Sequence, residues 1–260
     1  MGEPLASLEL VVDAVKVREL AHALRADPAV VPPTYSVVAA FSGRSPNEYI
    51  IAAAGLDQRR VLLGEMAWTF FHEVRLGQVL HGTVELLSRT SRTGRRGGTM
   101  VLAHGVTTWR DASGSVVQRC EATLIEPAAS ASRAAVVADI SNNSDGLRLS
   151  RTDIVRYAGA AGDFNPVHHD EPYAAGLGYP SVFAMGLLPG GILAAEAVAL
   201  LSPAAAGRVA IRFGGITWPD VPYRRRVLDL PDGGVELSLL APDGSQVVRV
   251  QAVPRGSEGS

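Results

Sequence analysis

Hydrophobic and polar positions follow two periods along the chain, one typical of helices and one typical of strands. Apolar residues recur at the helical spacing i, i+3, i+4 and i+7 in two stretches, which are Val17, Leu20, Ala21 and Leu24, and Ile154, Tyr157, Ala158 and Ala161. Ser150 followed by Asp153 is typical of a capping box, so it predicts where the second of these helices begins. Gly162 predicts where that helix ends.

Alternating apolar and polar residues predict a strand after a turn in each flank of the chain. The turn residues 111–114 precede residues 119–124, in which polar and apolar side chains alternate. The turn residues Asp243 and Gly244 precede a second alternating stretch over residues 246–252. Because each flank opens with a helix and closes with strands, we interpret the chain as a duplicated α+β unit: helix, connector, helix and antiparallel sheet.

A further helix is predicted over residues 187–201, where Glu196 is the only charged residue. A helix that is apolar nearly all round is buried, so we expect a sheet wrapped around it. Between the two flanks, residues 127–146 are rich in Ala, Ser and Asn and lose their periodicity, which predicts a linker. The sequence thus predicts one domain over residues 1–126 and a second over residues 147–260.

The composition narrows the class of protein. Of the 260 residues 47% are hydrophobic and 19% are charged, with a net charge of -2, which favours a folded core and argues against a nucleic-acid binder. Cys120 is the single cysteine, so an intrachain disulfide or a cysteine zinc cage is excluded. We expect a reducing, cytoplasmic setting, because no signal peptide and no membrane-spanning stretch is apparent.

The residues with the most chemical information lie just after the helix that ends at Gly162. Asp163 and His168 are five residues apart across the turn that Asn165-Pro166 predicts, so both side chains can point into one space. Such a pair can activate a water molecule or move protons between adjacent carbons. The same pattern also fits an Asp that only caps backbone amides and a His that lies on the surface.

Two neighbouring features have a functional and a structural interpretation each. Gly186 precedes the apolar helix, whose free N–H groups suit a developing oxyanion, although a Gly kept for helix packing fits equally well. His169 follows His168, but adjacent side chains usually diverge and no third ligand has zinc-site spacing. We therefore expect no metal, and we interpret His169 and Asp170 as structural.

The string Gly162-Asp163-Phe164-Asn165-Pro166-Val167-His168, with Tyr157 upstream and Ala184-Met185-Gly186 downstream, resembles the MaoC family. This family comprises the (R)-specific enoyl-CoA hydratases and 3-hydroxyacyl-thioester dehydratases. The resemblance implies a double hot-dog fold, with two antiparallel sheets each wrapped around a central helix. Residues 64–82 and 110–122 of the first flank are more weakly similar to the degenerate amino-terminal hot dog of two-domain members.

The resemblance also implies roles for individual residues. Asp163 and His168 would be catalytic, Asn165 would support the loop, and the backbone N–H of Gly186 would polarise the thioester carbonyl. The implied hydro-lyase reaction is reversible hydration of a trans-2-enoyl thioester to the (3R)-3-hydroxyacyl thioester, with no metal or redox cofactor. Which of Asp163 and His168 moves which proton stays open.

Three departures from the family pattern are visible. Met185 stands where many members have His, and Pro219-Asp220-Val221 stands where many have a Pro-Gly-Asp turn. The first flank runs through residues 27–32 without the Asn and His of the motif, so we expect it to hold no site of its own. Its expected role is to complete the sheet and shape an acyl tunnel.

The carrier of the thioester is coenzyme A or an acyl carrier protein, and two basic clusters could meet its negative charge. They are Arg224, Arg225 and Arg226, and Arg92, Arg95 and Arg96, although ordinary solvated arginines fit both. No nucleic-acid or membrane partner is expected. A hot-dog acyl thioesterase and a non-catalytic acyl-binding subunit of a heteromeric dehydratase remain as alternatives. A monomer and a homodimer fit the sequence equally.

Overall fold

The computed structural model describes residues 3–93, 98–127, 146–202 and 205–256. Most of the predicted linker falls at residues 128–145, outside this range. Arg95 and Arg96 of the second basic cluster also lie outside the described residues.

Within the described residues, the first half contains five strands and three helices, counting one 3₁₀ helix. They are β1 (Ala6–Val11), α1 (Ala14–Ala23), a first 3₁₀ helix (Tyr35–Ser42), α2 (Pro46–Ala54), β2 (Leu62–Phe70), β3 (Val79–Thr93), β4 (Thr99–Arg110) and β5 (Val116–Glu126). The second half contains β6 (Gly146–Leu147), α3 (Arg151–Ala161), a second 3₁₀ helix (Pro166–His168), α4 (Glu171–Gly176), α5 (Leu187–Leu201), β7 (Ala206–Phe213), β8 (Tyr223–Asp229), β9 (Val235–Leu240) and β10 (Gln246–Pro254).

The strands form one antiparallel sheet in the order β1-β3-β4-β5-β2-β7-β10-β9-β8-β6. From either edge inward, each half presents its first, third, fourth, fifth and second strand, so the two halves repeat one topology. The expectation of two separate sheets is therefore wrong, because β2 and β7 pair at the centre, with Trp68 opposite Val209. This pairing leaves neither strand with an open edge, which would otherwise expose unpaired backbone groups.

The helical predictions agree closely with the structure. The Ser150 and Asp153 capping box is present at the start of α3, and Gly162 ends this helix in the left-handed conformation with φ of 80°. The apolar helix α5 spans the predicted residues Leu187–Leu201. The predicted alternating strands correspond to β5 and β10.

Some helices pack on the sheet, and others join the two halves of the chain. In the second half α5 packs on β7, β9 and β10, and in the first half the shorter α2 packs on β3, β4 and β5. By contrast, α1 packs against α3 and the first 3₁₀ helix, so it joins the halves across the core. The fully buried Trp68 of the central strand β2 donates its indole N–H to the Ser36 hydroxyl at 2.9 Å. None of the described helices is long and apolar enough to cross a membrane.

Candidate active site

The loop after α3 is shaped by its own side chains. Gly162 turns the chain out of the helix, in a backbone conformation that strongly favours glycine. A carboxylate oxygen of Asp163 accepts the Asn165 N–H at 3.3 Å, and the side-chain oxygen of Asn165 accepts the Val167 N–H at 3.3 Å. These two hydrogen bonds, each between residues two apart in sequence, lead into the second 3₁₀ helix, whose last residue is His168.

His168 is buried and has a defined tautomer. Its Nδ1 lies 2.8 Å from the backbone oxygen of Phe183. Because a carbonyl oxygen only accepts, Nδ1 must carry the proton, which leaves the Nε2 lone pair available as a base. Burial lowers the pKa of His168, while the Asp163 charge and the Phe183 hydrogen bond act in the opposite direction. The imidazole is therefore neutral at pH 7.

Aromatic rings enclose His168 on the side of the Phe183 segment. The Phe183 ring stands edge-on to the imidazole, with centroids 5.1 Å apart and planes at 87°. Tyr179 and Trp218 pack on Phe183 in turn, with ring centroids at 4.6 Å and 5.8 Å. These rings limit access of water to the imidazole, which accounts for the direction of its pKa shift.

The segment held by His168 leads directly into α5. Gly186 is the residue that precedes this helix, and no side chain caps the first amides. A Cβ at Gly186 would lie 3.0 Å from two carbons of the Phe213 ring, so the ring packs directly on the glycine backbone. Leu188 donates its N–H to the Met185 oxygen at 2.9 Å and Pro189 has no N–H, so the first amides without such a bond are those of Gly186 and Leu187.

The Tyr157 hydroxyl is a buried polar group near Asp163 that the hydrophobic pattern does not predict. The side chain is 1% exposed, and within the described part of the chain its hydroxyl has no hydrogen-bond partner. Burial, and secondly the charge of Asp163, raise the pKa of this hydroxyl. Helical spacing identifies Tyr157 only as a core residue. The available signal was chemical, because a tyrosine at a core position needs a partner for its hydroxyl.

The other motif residues have structural surroundings. Asp170 caps α4 by accepting the Tyr173 N–H at 3.0 Å. His169 is exposed, and its Nε2 lies 3.3 Å from the backbone oxygen of Phe164. Met185, a departure from the family pattern that the sequence resembles, is 2% exposed within the main hydrophobic core. Asp220 adopts φ of 62°. The turn at Pro219-Asp220-Val221 therefore contains a left-handed residue although it has no glycine.

The first predicted basic cluster lies on β8, and its three members have different surroundings. Arg225 donates to Glu196 of α5 at 2.8 Å, while Arg226 lies 3.9 Å from Glu236 of β9. Arg224 is exposed and forms no ion pair with any described residue. Two of the three cations are therefore partly neutralised, and their contact with a substrate phosphate stays a prediction.

The arrangement supports acid–base chemistry on a bound carbonyl compound. A neutral imidazole with a free Nε2 and a carboxylate lie on one loop, and the imidazole is fixed to the segment that begins α5. Uncapped helix amides favour negative charge that develops on an oxygen. Within the described ranges, no group of three or more His, Cys, Asp or Glu side chains could hold a metal ion.

Two family models match separate parts of the chain. The family model described as a FAS1-like dehydratase domain region matches residues 2–120. The family model described as a MaoC like domain matches residues 133–220, which include Asp163, His168 and Gly186. No curated protein matches the chain significantly.

Three solved structures show the same fold over nearly the whole chain. HtdX from Mycobacterium tuberculosis is 20% identical with a TM-score of 0.74, and the match covers 96% of this chain and 100% of HtdX. A MaoC-like dehydratase from Phytophthora capsici is 18% identical with a TM-score of 0.75, covering 96% and 94% of the two chains. Rv0216 of M. tuberculosis, described as a double hot-dog fold, is 13% identical with a TM-score of 0.58, covering 98% and 97%.

Proposed function

Because its FAS1-like dehydratase region and its MaoC like domain make this chain a member of the MaoC-like dehydratases, we propose that it is a hydro-lyase acting on acyl thioesters. The reaction is the reversible addition of water to a trans-2-enoyl thioester, which yields the (3R)-3-hydroxyacyl thioester. The observation that carries the proposal is the buried, neutral His168, whose Nε2 is free and whose neighbour on the loop is Asp163.

In the hydration direction, the thioester carbonyl lies at the backbone N–H of Gly186. Withdrawal of electrons by this N–H makes C3 electrophilic. Water held by Asp163 and His168 loses a proton to the pair, and its oxygen forms a bond to C3. The electrons of the C2–C3 double bond move to the carbonyl oxygen as an enolate, and the pair then returns a proton to C2.

Burial of His168 supports this role in a specific way. A base works best with a pKa near the working pH, and a lowered pKa keeps the imidazole unprotonated when water must be deprotonated. The Asp163 charge then stabilises the imidazolium that forms during proton transfer. Asn165 contributes by holding the loop through its bond to the Val167 N–H.

The test is turnover of but-2-enoyl-CoA, followed by loss of the enoyl absorbance. Replacing Asp163→Asn or His168→Ala is expected to lower kcat by at least about a thousandfold, with the fold unchanged by circular dichroism. Asp27→Asn is the matched control in the first half, where Asp27 only bonds the Ala29 N–H at 2.8 Å. This control variant should keep full activity.

A thiol reagent in the same cuvette separates hydration of the enoyl thioester from its hydrolysis. Release of free coenzyme A at the rate of substrate loss would identify a thioesterase instead. Binding of the enoyl thioester without any turnover by the wild-type protein would identify an acyl-binding subunit. Retained hydration in both site variants would remove the pair from the mechanism.

A further inference from the structure

A surface groove lies between α1 of the first half and α3 of the second half. Its volume is about 510 Å³, and it is open to solvent along one side. The lining residues are Lys16, Arg18, Glu19, His22, Arg156, Gly159 and Ala160. We call it the α1–α3 groove. It is separate from the three arginines of β8, for which the sequence suggests phosphate contact.

The α1–α3 groove has a surplus of positive charge. Lys16, Arg18 and Arg156 supply three cations, and Glu19 is the only acidic residue in the lining. Lys16 pairs with Glu19 at 2.8 Å, and Arg156 lies 3.3 Å from Asp153 on its own helix. The Lys16, Glu19 and Arg156 side chains of these pairs are partly exposed to solvent, so a multiply charged anion can compete for the two cations. Arg18 forms no ion pair with a described residue.

An exposed pair of aromatic rings connects this groove with the catalytic loop. The Lys16 ammonium lies 4.1 Å from the centre of the Phe41 ring. Phe41 meets Phe164 edge-on at 6.4 Å, and its ring edge lies 3.3 Å from a Cβ built on Gly162. Phe164 directly follows Asp163 in the chain. The two rings therefore connect Lys16 of the groove with the loop that carries Asp163 and His168.

Phe41 and Phe164 are unusually exposed for large aromatic residues, with 45% and 59% of their surface accessible. Exposed apolar groups rimmed by charge mark surfaces that bind something. Phe41 belongs to the first half and Phe164 to the second half, so this surface exists only where the halves meet. Through Phe41, the first half can thus contribute to substrate binding, although the proposed reacting groups all lie in the second half.

We propose that the α1–α3 groove binds the phosphate groups of coenzyme A, with the pantetheine arm passing over Phe41 and Phe164 to the thioester at Gly186. The assignment rests on the proposed function. Charge complementarity carries it, because Lys and Arg are the side chains that bind phosphate oxygens. The groove volume of about 510 Å³ lies within the usual range of small-ligand sites, which favours coenzyme A as the occupant.

The experiment combines three neutral substitutions, Lys16→Gln, Arg18→Gln and Arg156→Gln, in one variant. The KM for but-2-enoyl-CoA should rise about tenfold with kcat unchanged, because the lost contacts lie away from the reacting atoms. The KM for the but-2-enoyl thioester of N-acetylcysteamine, which lacks the nucleotide, should stay as in the wild type. Raising the salt concentration should reduce the difference between the variants.

A double variant on β8, Arg224→Gln with Arg226→Gln, is the matched control. If this control raises the KM for the coenzyme A thioester and the triple variant does not, the phosphates bind at β8 and the proposal is wrong. It is also wrong if the triple variant impairs both thioesters equally. An effect confined to an acyl-carrier-protein thioester would assign the groove to an acidic protein partner instead.

Calorimetric titration with free coenzyme A keeps this proposal separate from the proposed reaction. Weaker binding to the triple variant than to the wild type supports the groove even if no enoyl thioester is turned over. Equal affinity of the two proteins for coenzyme A overturns the groove even if hydration is confirmed.

Discussion

The two halves of this chain share a strand order and differ in the segment after their first helix. In the second half, α3 ends at Gly162 and the chain turns at once into the loop that carries Asp163 and His168. In the first half, α1 is followed by the proline-containing residues 27–33 and then by the first 3₁₀ helix. The strand order is thus repeated in both halves, while the loop with Asp163 and His168 is present only in the second.

The two helices that pack on the sheet show a second difference. At the start of α2, the Ser45 side chain accepts the Glu48 N–H, and the Glu48 side chain accepts the Ser45 N–H. At the start of α5, no side chain fills this role. A helix start can bind an oxyanion only while its own residues leave the amides free. The start of α2 is thus capped by its own side chains, whereas the Gly186 and Leu187 N–H groups at the start of α5 have no such cap.

Adding one methyl group at Gly186, at the start of α5, should remove most of the proposed activity of the second half. Gly186→Ala places a Cβ 3.0 Å from the Phe213 ring, so either the ring or the helix start must move. We expect kcat/KM for the enoyl thioester to fall about a hundredfold, as for loss of one oxyanion donor. Gly176→Ala is the control, because nothing lies within 4 Å of its Cβ position and it lies outside the α1–α3 groove. Equal rates for the two variants would contradict the role of Gly186.

The pH dependence of activity tests a further difference, because His168 is buried whereas the described histidines of the first half are exposed or half-buried. The lowered pKa of His168 predicts that kcat/KM stays constant down to below the ordinary value of 6.5. At lower pH it should fall about tenfold per unit, as the base becomes protonated. A rate that already falls through pH 7 would exclude His168 as the base.

The same pKa shift makes the stability of the protein depend on pH. The unfolded chain binds a proton on this histidine at a higher pH than the folded chain does. Stability is therefore lost as the pH falls below 6.5, until it reaches the folded pKa. In Asp163→Asn the pKa of His168 should fall further, because the Asp163 charge raises it. NMR titration of the imidazole measures this change.

Removing the cap of α2 tests whether this helix contributes to stability alone. Ser45→Ala should lower the free energy of unfolding by about 1 kcal/mol, a usual cost for loss of an N-cap. Hydration of a short enoyl thioester should be unchanged, since α2 packs on β3, β4 and β5, away from α5. Chemical denaturation and an activity assay of one preparation give both values.

The smallest expected effect concerns the unpaired hydroxyl of Tyr157. Tyr157→Phe should raise the free energy of unfolding by up to about 1 kcal/mol, because a buried hydroxyl without a partner carries a desolvation cost. Val17→Ala provides the contrast with the opposite sign. Val17 is also buried, on α1, but its truncation removes apolar packing and should destabilise the protein. A destabilised Tyr157→Phe would mean that the hydroxyl has a partner in solution.

Local signals predict the elements that support the site, and they do so for physical reasons. The pattern of apolar residues locates α3 because one face of this helix is buried, and it locates α5 because nearly all of its surface is buried. The spacing of Asp163 and His168 indicates a common loop. The capping box of α2 at Ser45 and Glu48 has the same spacing as that of α3, although our interpretation of the sequence does not include it.

The remaining features depend on residues far apart in the chain. The single sheet rests on pairing of β2 with β7, where Glu65 and Arg212 form an ion pair 147 residues apart in sequence. The two-residue strand β6 is too short to show a period. The partner of His168 is a backbone oxygen at Phe183, and no side-chain pattern identifies such an acceptor.

The central pairing of β2 with β7 also changes how the active unit should respond to dilution. Separate subunits that complete one sheet by association come apart when their concentration falls below the dissociation constant. Here both strands belong to one covalent chain, so each meets the other at an effective concentration that is independent of the protein concentration. Specific activity is accordingly expected to stay constant as the enzyme is diluted.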